Sequence, residues 1–306
     1  ILTLRDSVGS QYFHSAPFSA LDWTILALLL AALALEVPEG LSPPADADTL
    51  AYHYDTAKIF LRNGGIVFVP RAVDGAAPLL VQMTYVPPLA LGGEKALTLW
   101  TMFSSWGTAF ALYFLSRRYL ARHWALAVVL LWVTTPAVLY GGGTGQVEVR
   151  NASFVMLTIF CLLQLRRTGI VRFAVGAGIA TGLFVGTKFT GLFFGVAGLA
   201  AIAFEPRRLR SSILYGGFAA VAGSQWYFWN FAHTGDPVFP LMFGLLDYET
   251  PYWNEAHHTQ FQHNFFNNER AVAGNLFWLV IYPFLATFAT SPAFDTERAG
   301  LGPILL

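Results

Sequence analysis

Long apolar runs, repeated along the chain, constrain this sequence more than any other feature. Each run approaches the roughly 20 residues that a helix needs to cross the hydrocarbon core of a bilayer. Hydrophobic residues make up 55% of the 306 residues and charged residues only 12%, whereas a soluble domain carries roughly 25% charged residues. The runs occupy residues 20–37, 96–115, 124–140, 152–165, 173–186, 191–204, 211–231 and 272–290.

These runs predict an all-α polytopic membrane protein with about eight or nine spanning helices. The last of them is expected to begin near Leu301, which implies a longer natural chain. No shift in composition divides the sequence, so residues 1–306 are interpreted as a single transmembrane module, truncated at the C-terminus. The formal net charge is zero, so no overall field points to a nucleic-acid partner.

The placement of arginine predicts how the helices are oriented. Nine arginines occupy three short loops, at 117–122, 166–172 and 207–210, which follow the second, fourth and sixth runs. Short cytoplasmic loops are enriched in Lys and Arg, so these loops and the N-terminus are predicted to be cytoplasmic. Most acids and all three lysines fall on the opposite side, and we expect any chemistry to take place there.

The first long loop on that side, residues 38–95, contains a helical pattern. Its apolar side chains recur every three or four residues, at Leu50, Tyr54, Ala57 and Leu61. This spacing predicts an amphipathic helix that lies along the membrane surface. The pair Gly64-Gly65 is the expected end of the helix.

Asp46 and Asp48 stand at the start of this helix and allow two interpretations. In the first, they are solvated loop residues, with Asp48 or Thr49 as the N-cap. In the second, a carboxylate at the membrane surface acts as general base toward an acceptor hydroxyl. In a regular α-helix His53, five residues after Asp48, would point away from the Asp48 face.

Three motifs lie on the predicted outer side: DTLAYH at 48–53, GTKFTG at 186–191 and WNFAHTGDPVFP at 229–240. They resemble motifs of the GT-C glycosyltransferases, closest to the bacterial branch of protein O-mannosyltransferases and the lipid A aminoarabinose transferase. They also occur in that family's order.

This resemblance implies a GT-C-like helix bundle with amphipathic helices in the first outer loop. It implies transfer of a sugar from a polyprenyl-phosphate donor to an acceptor on the non-cytoplasmic side, hence a bacterial inner-membrane protein with its site facing the periplasm. It implies an acidic residue in the first outer loop near the reaction centre, which Asp48 matches, with Asp46 next. Glu148 stands about where the family has a second acid.

The departing polyprenyl phosphate gathers negative charge, which a cation must meet. Lys188, in a glycine-flanked turn, is the main candidate, although a lysine there is also typical of one that snorkels to the interface. Arg150 and Arg62 are secondary candidates. Tyr52 is expected to contact the substrate, and His53 is interpreted as either a structural residue or a contact of the headgroup. We predict that Asp48, Glu148 and Lys188 line one pocket.

Two further patterns are given structural interpretations. The histidines at 257, 258 and 263 lack a zinc-binding spacing, so no metal site is predicted; a divalent ion stays the less favoured alternative, and no cofactor is expected besides the lipid-linked donor. The run Gly141–Gly145 lacks the strand–loop–helix context of a nucleotide site, so it is interpreted as a flexible turn.

Two other functions compete with sugar transfer. A non-catalytic GT-C-like subunit of a larger membrane complex is favoured by Trp229, which stands where the family often has Arg. A transporter is less favoured, because the charged residues gather on one side and not at mid-membrane. The expected partners are membrane lipids, the polyprenyl-phosphate sugar and, in the subunit case, partner membrane subunits.

Overall fold

A computed structural model of the protein describes residues 17–69, 77–205, 207–246, 253–267 and 277–288. Across these ranges the chain is helical and forms no strand, so the all-α prediction is confirmed. The helices are α1 Ala20–Ala34, α2 Glu36–Leu41, a π-helical turn Thr49–His53 that runs into α3 Tyr54–Asn63, α4 Leu80–Met83, α5 Val86–Arg117, α6 Arg122–Val133, α7 Pro136–Gly143, α8 Glu148–Thr168, α9 Arg172–Val185, α10 Thr190–Ile202, α11 Arg208–Gly223, α12 Gln225–Thr234, α13 Phe243–Leu246, α14 Glu255–Asn267 and α15 Phe277–Phe288.

Two of the described helices are long and apolar enough to cross a membrane. They are Ala20–Leu41, which combines α1 and α2 in 22 residues, and Glu148–Thr168, with 21 residues. A third span results if α6 and α7 count as one, with a bend of 73° at the break before Pro136. Proline lacks the N–H that would continue the helical ladder, which explains the break. The total of eight or nine spans stays a prediction.

Side-chain contacts bring the arginine-rich loops to one end of the bundle. The Asp22 carboxylate lies 3.8 Å from the Arg122 guanidinium, so the start of α1 shares an end with the start of α6. The Gln164 amide donates to the Tyr119 hydroxyl at 3.4 Å, which places the end of α8 there too. The predicted alternation of loops between two ends is therefore present, and the assignment of this end to the cytoplasm stays a prediction.

Helices α9 and α11 run parallel and approach closely through small residues. A Cβ atom at Gly182 would lie 2.5 Å from the Ala219 carbonyl oxygen, and one at Gly223 would lie 2.5 Å from the Gly182 carbonyl oxygen. The Thr181 and Tyr215 hydroxyls hydrogen-bond at 2.9 Å beside this contact. Close packing of small residues is a main source of helix association in lipid, so glycine is required here for packing.

The helix predicted in the first outer loop is confirmed, and so is its end at Gly64, which has a φ of +65°. Its buried face differs from the expected one: Leu50 and Leu61 are 46% and 41% exposed, while Phe60 is buried. The π-helical turn explains the shift, because its hydrogen bonds join residues five apart and change the phase of everything that follows. Its placement along a membrane surface stays a prediction.

The prediction of Asp48 or Thr49 as N-cap of this helix was wrong. The Asp46 carboxylate accepts the Thr49 backbone N–H at 2.8 Å and the Thr49 hydroxyl at 2.7 Å. Asp46 therefore supplies the acceptor that the first turn needs.

The α9–α11 contact predicts that Gly182→Ala destabilises the protein by about 1–3 kcal/mol, because the new methyl group must displace backbone atoms. Gly217→Ala is the matched control: it lies on α11, and a Cβ there meets nothing within 4 Å. Unfolding measured by steric trapping in bicelles checks the difference. Equal stability of the two variants would contradict the packing described here.

Candidate active site

Polar side chains gather at the end of the bundle opposite the arginine-rich loops. Asp46 is buried there, and besides Thr49 it accepts hydrogen bonds from the Tyr140 hydroxyl and, at 3.3 Å, from the Gln146 side-chain amide. These bonds tie the first outer loop to α7 and to the segment before α8. Since its oxygens already serve several donors, Asp46 is suited to positioning this region.

Asp48 is half-buried at the start of the π-helical turn. In this turn the Tyr54 N–H donates to the Thr49 carbonyl, five residues back. Such a turn rotates the chain less per residue than an α-helix does, so His53 lies nearer to the Asp48 side than the sequence predicted. The π-helical turn was not predicted from the sequence, because no residue type or spacing in this segment is typical of one.

Arg150 is buried, and all five of its N–H groups are hydrogen-bonded within the protein. The acceptors are the Ser104 hydroxyl at 2.9 Å and the carbonyl oxygens of Gly141 at 2.9 Å, Gln146 at 2.6 Å, Thr101 at 2.5 Å and Gly142 at 3.0 Å. In this arrangement Arg150 has no donor left for a phosphate, so the structure places it among the residues that hold the site together.

Two acids that sequence reasoning missed lie beside Arg150. Glu36, only 2% exposed, and Glu39 come from the end of the first long helix, and the Arg150 charge acts on both carboxylates. For Glu36 the signal was present, because an acid inside an apolar run is costly and usually faces a polar interior.

The prediction of a flexible turn at Gly141–Gly145 was wrong. Residues up to Gly143 continue α7, and a Cβ at Gly142 would lie 2.5 Å from the Glu36 carboxylate oxygen. Because glycine has no side chain, the Glu36 and Glu39 carboxylates and the Arg150 guanidinium can all approach the α7 backbone.

Lys188 and Glu148, both half-exposed, form an ion pair. The turn that carries Lys188 is fixed to the first outer loop, because the Leu80 N–H donates to the Gly186 carbonyl at 3.0 Å. The structure thus brings two of the three residues expected in one pocket into contact. Asp48 does not line either of the two cavities that border Lys188.

The larger of these cavities has a volume of about 650 Å³. Tyr52, His53 and Lys188 line its polar side, and Phe189 and Phe193 contribute to its apolar side. The side-chain amide nitrogen of Gln82 lies 3.0 Å from Nδ1 of His53. Burial lowers the pKa of His53 to about 4, so the imidazole is neutral near pH 7.

The third motif covers the end of α12 and the loop that follows it. The Trp229 and His233 rings pack at a tilt of 43°, with centroids 4.2 Å apart. Asp236 is buried and accepts the backbone N–H groups of Val238 at 2.8 Å and Met242 at 3.0 Å, which fixes the loop. Within the described ranges, no three His, Cys, Asp or Glu side chains lie close enough together to hold a metal ion.

Comparison with known proteins gives one match. The model of the dolichyl-phosphate-mannose-protein mannosyltransferase family matches residues 88–227, a segment that contains Glu148, Arg150 and Lys188 and follows Asp48. No curated protein and no solved structure matches the chain. Over residues 88–227 the chain is thus similar to the dolichyl-phosphate-mannose-protein mannosyltransferase family of the GT-C superfamily, and the resemblance seen in the sequence motifs is confirmed.

Proposed function

We propose that this protein is a glycosyltransferase that moves a sugar from a polyprenyl-phosphate donor to an acceptor on the non-cytoplasmic side of a bacterial inner membrane. One observation carries the proposal: Lys188, inside the segment that matches the family, stands where a largely apolar cavity of about 650 Å³ meets a polar cluster. A lipid phosphate needs this combination, because its chain is apolar and its headgroup is anionic.

In the proposed complex the isoprenoid chain packs against Phe189 and Phe193, and the phosphate exchanges for Glu148 as the partner of Lys188. A half-exposed ion pair contributes roughly 0–1 kcal/mol, so a phosphate replaces the carboxylate at little cost. As the bond between the anomeric carbon and the phosphate oxygen breaks, its electrons pass to the phosphate. Lys188 then stabilises the added charge.

His53 is proposed as a neutral second donor to the phosphate. In the proposed complex the Gln82 amide nitrogen, which lies against Nδ1, donates to it, and the proton of the neutral ring is then on Nε2. A neutral imidazole with this tautomer donates one hydrogen bond to the phosphate and adds no second positive charge beside Lys188.

The acceptor oxygen must lose its proton as it bonds to the anomeric carbon, and we propose Asp48 as the base that receives it. Asp46, through its bonds to Thr49, Tyr140 and Gln146, holds the start of the helix that carries Asp48. Glu148 is the second acid of the site and interacts electrostatically with His53.

The alternative proposal is a non-catalytic subunit of a membrane complex. Trp229 favours it, because its ring packs against His233 at the position where the family often has Arg. In that case neither Asp48 nor Lys188 carries chemistry, and substitutions there leave assembly unchanged.

Asp48→Asn is expected to reduce turnover by about 10²- to 10⁴-fold, the range for loss of a general base, while folding is retained. Release of polyprenyl phosphate from a panel of polyprenyl-phosphate sugars, in membranes that supply acceptors, measures turnover. Asp55→Asn, an acid on the same helical segment, is the matched control and should stay active. Full activity of Asp48→Asn would exclude it as the base, and an inactive wild type across the panel would favour the subunit.

Lys188→Ala is expected to weaken donor binding and turnover together, because it removes the charge that meets the phosphate. Lys188→Arg should retain part of both. Lys58→Ala is the control, since Lys58 forms a comparable ion pair with Glu94 on the outer side. Photo-crosslinking of a diazirine-bearing polyprenyl phosphate measures binding apart from turnover, and unchanged labelling of Lys188→Ala would refute the phosphate contact.

A further inference from the structure

A second cavity lies against the same ion pair. Its volume is about 440 Å³, within the range of roughly 300–1,000 Å³ typical of ligand sites. Its walls come from α5, α6, α8 and α9 and are apolar, with Leu112, Trp132, Val155 and Phe184 among the residues that line it. α8 is one of the two helices long and apolar enough to span a membrane.

The polar end of this cavity carries an unsatisfied amide. Asn151 lines the cavity and is only 4% exposed, and neither its side-chain nitrogen nor its oxygen has a hydrogen-bond partner in the described part of the chain. Buried polar groups nearly always have partners. The Asn151 amide therefore indicates that a ligand completes this site.

The chemistry of that ligand follows from the amide and the walls. An amide that offers both a donor and an acceptor complements a hydroxyl group, which accepts and donates in turn. An extended peptide brings an N–H and a C=O with every residue, each of which needs a partner, whereas these walls are apolar. A lipid chain that ends in a hydroxyl-bearing headgroup satisfies both the walls and the amide.

We propose that this cavity binds the acceptor and that the acceptor is a hydroxyl-bearing lipid. The inference rests on the proposed glycosyltransferase function. Lys188 and Thr190 line both cavities, and Glu148 lines the second, so the lipid hydroxyl enters on the Glu148 side while the donor phosphate binds Lys188 from the other side. Transfer requires such a convergence, because the reacting atoms must come within about 3–3.5 Å of each other.

Photo-crosslinking of the protein in nanodiscs tests the proposal with a diazirine-bearing 1-monoacylglycerol, its dimethyl ether and a diazirine-bearing polyprenyl phosphate. The monoacylglycerol should label α6 and α8 about tenfold more than the ether, the size of one buried hydrogen bond. Asn151→Leu should remove that preference. Val155→Trp, which fills the cavity, should remove monoacylglycerol labelling and leave polyprenyl-phosphate labelling unchanged.

Leu157→Trp is the matched control, because Leu157 lies on the same helix, is 48% exposed and does not line this cavity; it should label like wild type. Equal labelling by monoacylglycerol and ether, or full labelling of Val155→Trp, would overturn the acceptor site. Monoacylglycerol labelling without any polyprenyl-phosphate labelling at the larger cavity would leave the hydroxyl-lipid site standing and refute the donor site of the proposed function.

Discussion

The Arg150 guanidinium holds together the end of the bundle on which the rest of the site depends. Its five hydrogen bonds reach α5 through Thr101 and Ser104, the end of α7 through two glycine carbonyls, and the segment before α8 through Gln146. A positive charge at the carbonyl end of a helix is favourable, and the same charge acts on the buried Glu36 and on Glu39, which is exposed. Without Arg150 the buried Glu36 carboxylate would lose the nearby positive charge that favours its ionised form.

Two connections link the Arg150 hydrogen bonds to the rest of the site. Gln146 connects them to the Asp46 network, which fixes the start of the helix that carries Asp48, Tyr52 and His53. Glu148 connects them to Lys188. The two cavities beside Lys188 are the outermost layer, and we propose that one of them binds the lipid-linked donor and the other the lipid acceptor.

The sequence predicted the features that arise from local patterns. Apolar runs of spanning length predicted the helices, arginine spacing predicted which loops share an end, and Gly64 predicted the end of the loop helix. The outer-side lysine and glutamate at 188 and 148 were expected in one site, and they meet. Each of these rests on composition or spacing within a short segment.

The features that escaped prediction depend on contacts between segments distant in the sequence. The role of Gly142 follows from a carboxylate more than 100 positions earlier in the chain, and the engagement of Arg150 follows from carbonyl groups on three segments. The π-helical turn has no sequence signal, yet it changes which side chains face Asp48. The unsatisfied amide of Asn151 is visible only once the neighbouring helices are in place.

The proposed function depends on Lys188 binding the phosphate of a polyprenyl-phosphate donor in the larger cavity. The most direct measurement is an electron cryomicroscopy map of the protein in nanodiscs with polyprenyl phosphate added. We expect phosphate density within hydrogen-bonding distance of the Lys188 Nζ, with the isoprenoid chain continuing past Phe189 and Phe193. Phosphate density at the arginine-rich end of the bundle, with the Lys188–Glu148 pair intact and the larger cavity empty, would contradict it.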